Sequence, residues 1–378
     1  MSDSADAAPA VFAAPLRYVQ GPDALDTLGD ELARLNSSRP LVLCDPAVRE
    51  SLAPRLEVNG AKIIRFGGEV SPGEITRVGD AAKDAGADAI VGVGGGKTLD
   101  TAKAVAHPSR IPLVIVPTIA STDAPTSALA VVYDDEGAFL EYRFFGRNPD
   151  AVLVDTALIA QAPVRFLVAG IGDGLATFFE AESSASTRKP TMAGGPPLQA
   201  ATTLARLCYE TLLTNGLAAR QAAERGVVTP ALERVVEANT LLSGLGFESG
   251  GLGAAHSIHN GLTALHETHA YWHGEKVAFG LIAMLVLEGR SQELIDEVVD
   301  FCLRVGLPVT LGDIGVEADA DTLAPVGEAA CAESETIHNE PIQVTPSMVV
   351  GAMLAADAVG AQRRALLERA MELPEVCA

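Results

Sequence analysis

The stretch that most constrains this chain is Ala89–Ala106, AIVGVGGGKTLDTAKAVA. Ile90, Val91 and Val93 end an apolar run suited to a strand inside a parallel sheet, and Gly94, Gly95 and Gly96 follow without side chains to block a ligand. Backbone N–H groups at such a turn are free to face an anion. Thr98–Ala106 then reads as a helix whose N-terminus aims its unpaired N–H groups and positive dipole end at the same place. Lys97 adds a full positive charge. The segment therefore predicts a phosphate cradle, and the lysine and helix favour that reading over a purely structural turn. It matches neither standard pattern. A P-loop needs glycine at the position of Val91, and a dinucleotide fingerprint starting at Gly92-x-Gly94 needs one at the position of Lys97.

Around this segment, residues 16–163 alternate short apolar runs with helical stretches: LVLC at Leu41, KIIRF at Lys62, AIVGV at Ala89, PLVIVP at Pro112 and AVLVD at Ala151. This is the rhythm of βαβ units around a parallel sheet. Asp45 follows the first of these runs, where such sheets bind an adenosine ribose and where a carboxylate repels a 2′-phosphate, which favours NAD over NADP. Capping the turn before Pro46 is the alternative role for Asp45. From Val164 onward no strand rhythm continues, and stretches such as Leu198–Leu213 and Thr229–Leu242 read as helices. The expected organisation is an α/β domain over residues 1–163 and an all-helical domain over 164–378, with the site in the cleft between them.

Composition removes several classes of function. With 49 acidic and 27 basic residues among 378, the formal net charge of -22 repels nucleic acid and anionic membranes, and it suits a salty, strongly screening cytoplasm. The leader MSDSADAAPAVFAAP has acids where a secretion signal has bases, so residues 1–15 are expected to be flexible. No run is long enough to span a bilayer. Five cysteines (Cys44, Cys208, Cys302, Cys331 and Cys377), odd in number and without a C-x-x-C pair, point to reduced thiols in a cytoplasm. Lysine is scarce, with six in the chain, and Lys103 and Lys276 are expected to pair with neighbouring carboxylates.

The histidines raise the question of a metal. Five of the seven, His256, His259, His266, His269 and His273, fall in AAHSIHNGLTALHETHAYWHGEKVAFG. His256 and His259 are spaced to share a helix face, as are His269 and His273, and neutral imidazoles with a carboxylate suit zinc or iron. Asp173 in AGIGDGLATFF is a carboxylate candidate, read as lying at a helix start between glycines, where capping is the competing role. Spacing does not choose among the five histidines.

The segments GGGKTLDTAKAVA, PTIASTDAPTSALAVVY, AGIGDGLATFFEA, VVTPALERVVEANTLLSG, GFESGGLGAAHSIHNGLT and HGEKVAFG resemble the glycerol-oxidising members of the metal-dependent, iron-containing-type alcohol dehydrogenases. The resemblance runs from about Tyr18 to about Gln362. It implies an N-terminal Rossmann-like α/β domain with a parallel sheet and a C-terminal all-α domain, the fold shared with dehydroquinate synthase. It further implies NAD, Zn2+ (with Fe2+ also acceptable) and a homo-oligomer, often an octamer. The implied reaction is NAD-dependent oxidation of glycerol at C2 to dihydroxyacetone, a metal-lowered hydroxyl pKa letting hydride leave; another 1,2-diol or small polyol is the alternative substrate. Position by position, it implies Asp173, His256 and His273 as metal ligands and Asp123 against glycerol. It implies Asp45, Gly96, Lys97, Thr118, Ser121, Ser127, Leu129 and Tyr133 in the NAD site, with Gly94 and Gly95 completing the turn. His259 has either a proton-relay or a structural role.

The chain departs from that pattern at His269-Ala270, at Gly174 beside Asp173, in Asn339–Pro346 and in Leu140–Asn148. These departures bear on substrate preference rather than on reaction class. A phosphorylated substrate calls for basic residues that this acidic chain offers sparingly. A lyase of the dehydroquinate-synthase type would accumulate no NADH, and a non-catalytic relative would have lost ligands that this chain retains.

Overall fold

In the computed structural model, which describes residues 8–58, 60–134 and 139–372, the β-branched runs of the first half form a parallel sheet. The strands are β1 (Tyr18–Gly21), β2 (Pro40–Cys44), β3 (Lys62–Arg65), β4 (Ala89–Gly94), β5 (Leu113–Pro117), β6 (Leu129–Tyr133), β7 (Phe139–Phe144) and β8 (Ala151–Asp155). Six of them pair in the order β1-β8-β5-β4-β2-β3, all parallel, and β6 and β7 form a separate antiparallel pair. Helices α1 (Leu28–Arg34), α2 (Pro46–Leu56), α3 (Pro72–Asp84) and α4 (Gly96–Ser109) lie between the early strands. After β8 the described chain is helical: α5 (Thr156–Ala160), α6 (Val164–Thr187), α7 (Gln199–Glu224), α8 (Pro230–Glu237), α9 (Ser243–Gly250), α10 (Ala254–Leu262), α11 (His273–Leu287), α12 (Gln292–Val305), α13 (Ala320–Ala330) and α14 (Pro346–Glu372).

The central strands β2, β4, β5 and β8 are buried along their whole length, which is why they read as continuous apolar runs rather than alternating ones. From β2 the chain steps outward to β3, recrosses to β4, and continues the other way to β5. The winding thus reverses between β2 and β4, and their carboxyl ends, Cys44 and Gly94, flank the crevice where open α/β sheets take ligands. Gly92 lets α4 close on the sheet, since a Cβ there would lie 2.7 Å from Ala102 Cβ.

The five expected strands are β2, β3, β4, β5 and β8; β1 and the β6–β7 pair are additional. The expected helix at 198–213 is the first half of the longer α7, with Leu198 as its N-cap. That at 229–242 is α8, with Thr229 accepting from the Leu232 N–H at 3.2 Å and Pro230 in its first turn, followed by a π-helical turn at Ala238–Leu242.

Asp173 requires a correction. It does not start a helix but lies in the middle of α6. The flanking glycines are places of backbone contact rather than breaks: a Cβ on Gly170 would lie 2.0 Å from Ala120 O, and one on Gly172 would lie 2.3 Å from Gly274 O. Packing that close outweighs the ~1 kcal/mol that glycine costs inside a helix.

Residues 1–7 of the leader expected to be flexible, and Cys377, lie outside the described residues. Residues 8–15 form no regular element, and the Ala13 N–H donates to Ser249 Oγ at 3.0 Å. Among the described residues no helix is long and apolar enough to cross a membrane, and Cys44, Cys208, Cys302 and Cys331 are free thiols.

Candidate metal centre and cofactor cleft

On the sheet side, Gly95 caps α4 and Gly96 opens its first turn, so the unpaired N–H groups of that helix start at the carboxyl end of β4. Gly94 has no room for a side chain, because a Cβ would lie 2.7 Å from Thr98 Oγ1 and 2.9 Å from Asp45 Cβ. The Thr118 N–H, just past β5, donates to Gly94 O at 3.0 Å. Asp45 caps α2 by accepting the Ala47 N–H at 2.9 Å, while its other oxygen lies 3.4 Å from Thr98 Oγ1 beside the turn. Lys97 is half-exposed, with Nζ 2.5 Å from Glu69 Oε2 and 5.1 Å from the centroid of the Tyr133 ring.

Ser127 and Leu129 are fastened to α4 by the buried Lys103. Its ammonium donates to Asp100 Oδ1 at 3.1 Å, Ala124 O at 2.6 Å, Ser127 Oγ at 3.2 Å and Leu129 O at 2.9 Å. Asp100 Oδ2 accepts the Val131 N–H at 3.0 Å, completing the link to β6, the strand that ends at Tyr133. The carboxylate partner expected for Lys103 is therefore present. Lys276 has none among the described residues; it is buried and donates to Thr268 O at 3.4 Å, while the adjacent Glu275 pairs with Arg165 at 2.6 Å.

On the helical side, α6 supplies Asp173, α10 supplies His256 and His259, and α11 opens with His273. Asp173 Oδ1 lies 3.3 Å from His256 Nε2 and 3.1 Å from His273 Nε2, and one donor atom of each of the three residues lies within 4.8 Å of the others. His259 packs edge-on against His273 at a centroid distance of 4.2 Å, with Nδ1 3.0 Å from Asn260 Oδ1. The spacing of His269 and His273 does not give a shared helix face. His269 belongs to a 3-10 turn at His266–Ala270, which Thr268 closes by donating to Leu262 O at 2.7 Å, and a fresh helix begins at His273. His266 and His269 are exposed.

The loop after β5 joins the two sides. Thr118 touches the glycine turn at one end, and at the other the Asp123 N–H donates to Asp173 Oδ2 at 3.2 Å. Ser121 is buried between them. Asp123 is buried as well, and its Oδ2 accepts from Ser243 Oγ at 2.8 Å.

The electrostatics of this cluster favour a cation. Burial opposes ionisation of Asp173, but the facing His273 and His256 imidazoles overcome it and hold the carboxyl far below the usual range. Burial and the charge of Asp173 push Asp123 the other way, well above that range. Burial opposes a charged His256, yet the Glu180 and Asp173 carboxylates raise its pKa well above the ordinary imidazole value. His259 is lowered by burial and by His273, and so stays neutral. Among the described residues no lysine or arginine is ion-paired with Asp123, Asp173 or Glu180. Three buried carboxyls without a lysine or arginine ion pair, with two imidazole nitrogens converging on one of them, form a donor set that fits a divalent metal with open positions.

Two participants escape the sequence reading. Glu180, seven residues after Asp173 on the same face of α6, lies 2.7 Å from His256 Nδ1. Ser243 orients Asp123 across 120 residues of sequence. The spacing of Asp173 and Glu180 on one helix is a signal that the sequence carries; the Ser243 contact has none. The divergent segment Asn339–Pro346 packs at the start of α10, where Glu340 Oε1 accepts the Ala254 N–H at 2.7 Å.

A crevice at a sheet switch point, a glycine turn opening a helix and a three-donor cluster define a metal-dependent α/β enzyme fold with a helical second half. Comparison with known proteins agrees. Residues 15–156 match the family model described as iron-containing alcohol dehydrogenase. The chain is 52% identical over 360 residues to the glycerol dehydrogenase of Citrobacter freundii, covering 93% of this chain and 98% of that one. It is 49% identical over 365 residues to the glycolaldehyde reductase of Halobacterium salinarum, covering 94% and 99%. The crystal structure of a probable glycerol dehydrogenase from Sinorhizobium meliloti superposes with a TM-score of 0.89 at 47% identity, covering 93% of this chain and 99% of that one. The chain belongs to the iron-containing alcohol dehydrogenase family, with the α/β N-terminal and helical C-terminal architecture of these relatives.

Proposed function

We propose that this chain is an NAD-dependent dehydrogenase that reversibly oxidises glycerol at C2 to dihydroxyacetone. The observation that carries the reading is the convergence of Asp173, His256 and His273 beside Asp123, on a loop whose other end touches the glycine turn. Thr118 and Asp123 are five residues apart, at most about 18 Å of extended chain, so a dinucleotide anchored by its phosphates at the turn reaches the cluster. Relatives about half identical along nearly the whole chain and named glycerol dehydrogenase support the same reading.

The roles follow from position and chemistry. The turn at Gly94, Gly95, Gly96 and Lys97 takes the pyrophosphate, and Asp45 takes the adenosine ribose and disfavours a 2′-phosphate. Thr118, Ser121, Ser127, Leu129 and Tyr133 line the remainder of the cofactor site, with Lys103 keeping β6 in place. Asp173, His256 and His273 would hold the metal, zinc by resemblance, though this donor set also accepts Fe2+. A divalent cation held there supplies a Lewis acid that lowers the pKa of an alcohol by several units. Asp123, fixed by Ser243, accepts a hydrogen bond from a substrate hydroxyl and so favours polyols over simple alcohols. NAD bound there would supply the acceptor for the hydride that leaves C2. Neutral His259, edge-on against His273 with its Nδ1 held by Asn260 Oδ1, is the imidazole placed to take the released proton and pass it to water.

A second reading is reduction of a small 2-hydroxyaldehyde, favoured by the Halobacterium salinarum relative. Measuring kcat/KM for glycerol oxidation, 1,2-propanediol oxidation and glycolaldehyde reduction decides between them. A preference for glycerol that Asp123→Asn abolishes supports the proposal, and a dominant glycolaldehyde activity replaces it. A homo-oligomeric state and a cytoplasmic setting complete the proposal on the strength of the resemblance, and light scattering on the purified chain tests the first.

A further inference from the structure

Helix α6 carries two buried carboxyls on one face, and the proposed function uses only the first. Glu180 is fully buried, and its bonds all run to the segment holding His256. Its Oε2 lies 2.7 Å from His256 Nδ1, while Oε1 accepts the backbone N–H of His256 at 2.9 Å and of Gly253 at 3.0 Å. Gly253 packs close to two acidic side chains, since a Cβ there would lie 2.6 Å from Glu340 Oε1 and 3.4 Å from Glu180 Cγ.

We propose that Glu180 is a positioning residue of the metal centre, fixing His256 with its proton on Nδ1 so that Nε2 presents a lone pair beside Asp173. The inference rests on the metal reading above and follows from hydrogen-bond inventory. A carboxylate has no proton to give, so the hydrogen in the 2.7 Å contact belongs to His256 Nδ1. A metal ligand must be a neutral imidazole, and with its one proton held on Nδ1 it is bare at Nε2, the nitrogen 3.3 Å from Asp173 Oδ1. The two backbone bonds to Oε1 stop the carboxylate from rotating away. Because Asp173 and Glu180 lie two turns apart on one helix, a ligand and the group that aims its neighbour shift together, which keeps the centre's geometry under thermal motion.

The test is Glu180→Gln in the full chain, read by zinc affinity in competition with a chromophoric chelator. A glutamine oxygen still serves the backbone N–H groups, but its amide nitrogen is a donor and meets His256 Nδ1 only if the imidazole proton moves to Nε2, where it blocks the ligand position. Zinc binding is expected to weaken about 10- to 100-fold in E180Q, with Glu180→Asp recovering part of the loss. The metal-free proteins are expected to melt within a few degrees of each other. E180Q binding zinc within about threefold of wild type overturns the proposal. If E180Q fails to fold, long-range 1H–15N NMR of the zinc-loaded wild type decides: His256 with its proton on Nδ1 supports the proposal and His256 with its proton on Nε2 overturns it. A wild-type chain that takes up no zinc, with Asp173→Asn changing nothing, refutes the metal centre and this role with it; tight wild-type binding that persists in E180Q refutes Glu180 alone.

Discussion

Lys103→Met isolates the device that holds β6 against the glycine-turn helix. The lysine is 2% exposed, and its ammonium serves four acceptors: Asp100, Ala124, Ser127 and Leu129. Methionine preserves the length and most of the packing of the aliphatic stem, so the cost is almost wholly electrostatic. Removing one partner of a buried ion pair costs about 3–5 kcal/mol. Each buried carbonyl left without a donor adds about 1–3 kcal/mol, less than additively. Burial already pushes the Asp100 carboxyl up against the opposing pull of Lys103, so in the variant Asp100 takes a proton and recovers part of the loss. The expected destabilisation is therefore about 3–5 kcal/mol at neutral pH, falling as pH is lowered. Urea unfolding of the metal-free chain measures it, and hydrogen exchange should show lost protection at the Val131 amide, which Asp100 Oδ2 accepts. Asp100→Asn with Lys103→Met should recover part of the stability by removing the stranded charge. A Lys103→Met protein within about 1 kcal/mol of wild type, with Val131 still protected, would refute the reasoning.

Two glycines should respond oppositely to alanine. Gly172→Ala places a Cβ 2.3 Å from Gly274 O and should destabilise by at least about 1–3 kcal/mol in urea melts; Gly79→Ala, inside α3 with nothing within 4 Å, should gain about 0.5–1 kcal/mol. The Glu340 carboxyl, pushed up to about 9 by burial and by Glu288, holds a proton in the folded state that the unfolded chain releases near 4.5. Its stabilising contribution is thus fully present below about 4.5 and is lost as pH rises toward 9; Glu340→Gln should flatten that slope in melts across the range. The net charge of -22 predicts a melting temperature that climbs from dilute buffer to molar potassium chloride, and an unchanged one would sink the idea of a salt-adapted surface.

The sheet was legible because its central strands are buried on both faces and write themselves as unbroken apolar runs. Strand β1 was not, since Tyr18–Gly21 is a partly buried edge carrying Gln20, whose side chain bonds Glu233 from the helical half. Nor was the β6–β7 pair, which lies off the main sheet. Asp173 was found as a residue but misplaced, because glycines that signal a helix end by propensity here mark where backbones touch. The histidine cluster announced a site without choosing among its members. The choice depends on α10 and α11 crossing beside α6, and local spacing does not encode that crossing. The partners of the first contacts, Glu180 for His256 and Ser243 for Asp123, bridge 76 and 120 residues of sequence, and in the folded chain each is a buried group brought to the site by helix packing.

The measurement that bears most directly on the central claim is NADH formation from glycerol and NAD by the purified chain, taken before chelation, after it, and after zinc is restored. The account predicts turnover that chelation abolishes and zinc returns, and no turnover at any stage in Asp173→Asn. Glycerol oxidation that survives exhaustive chelation, or that Asp173→Asn retains, would contradict it.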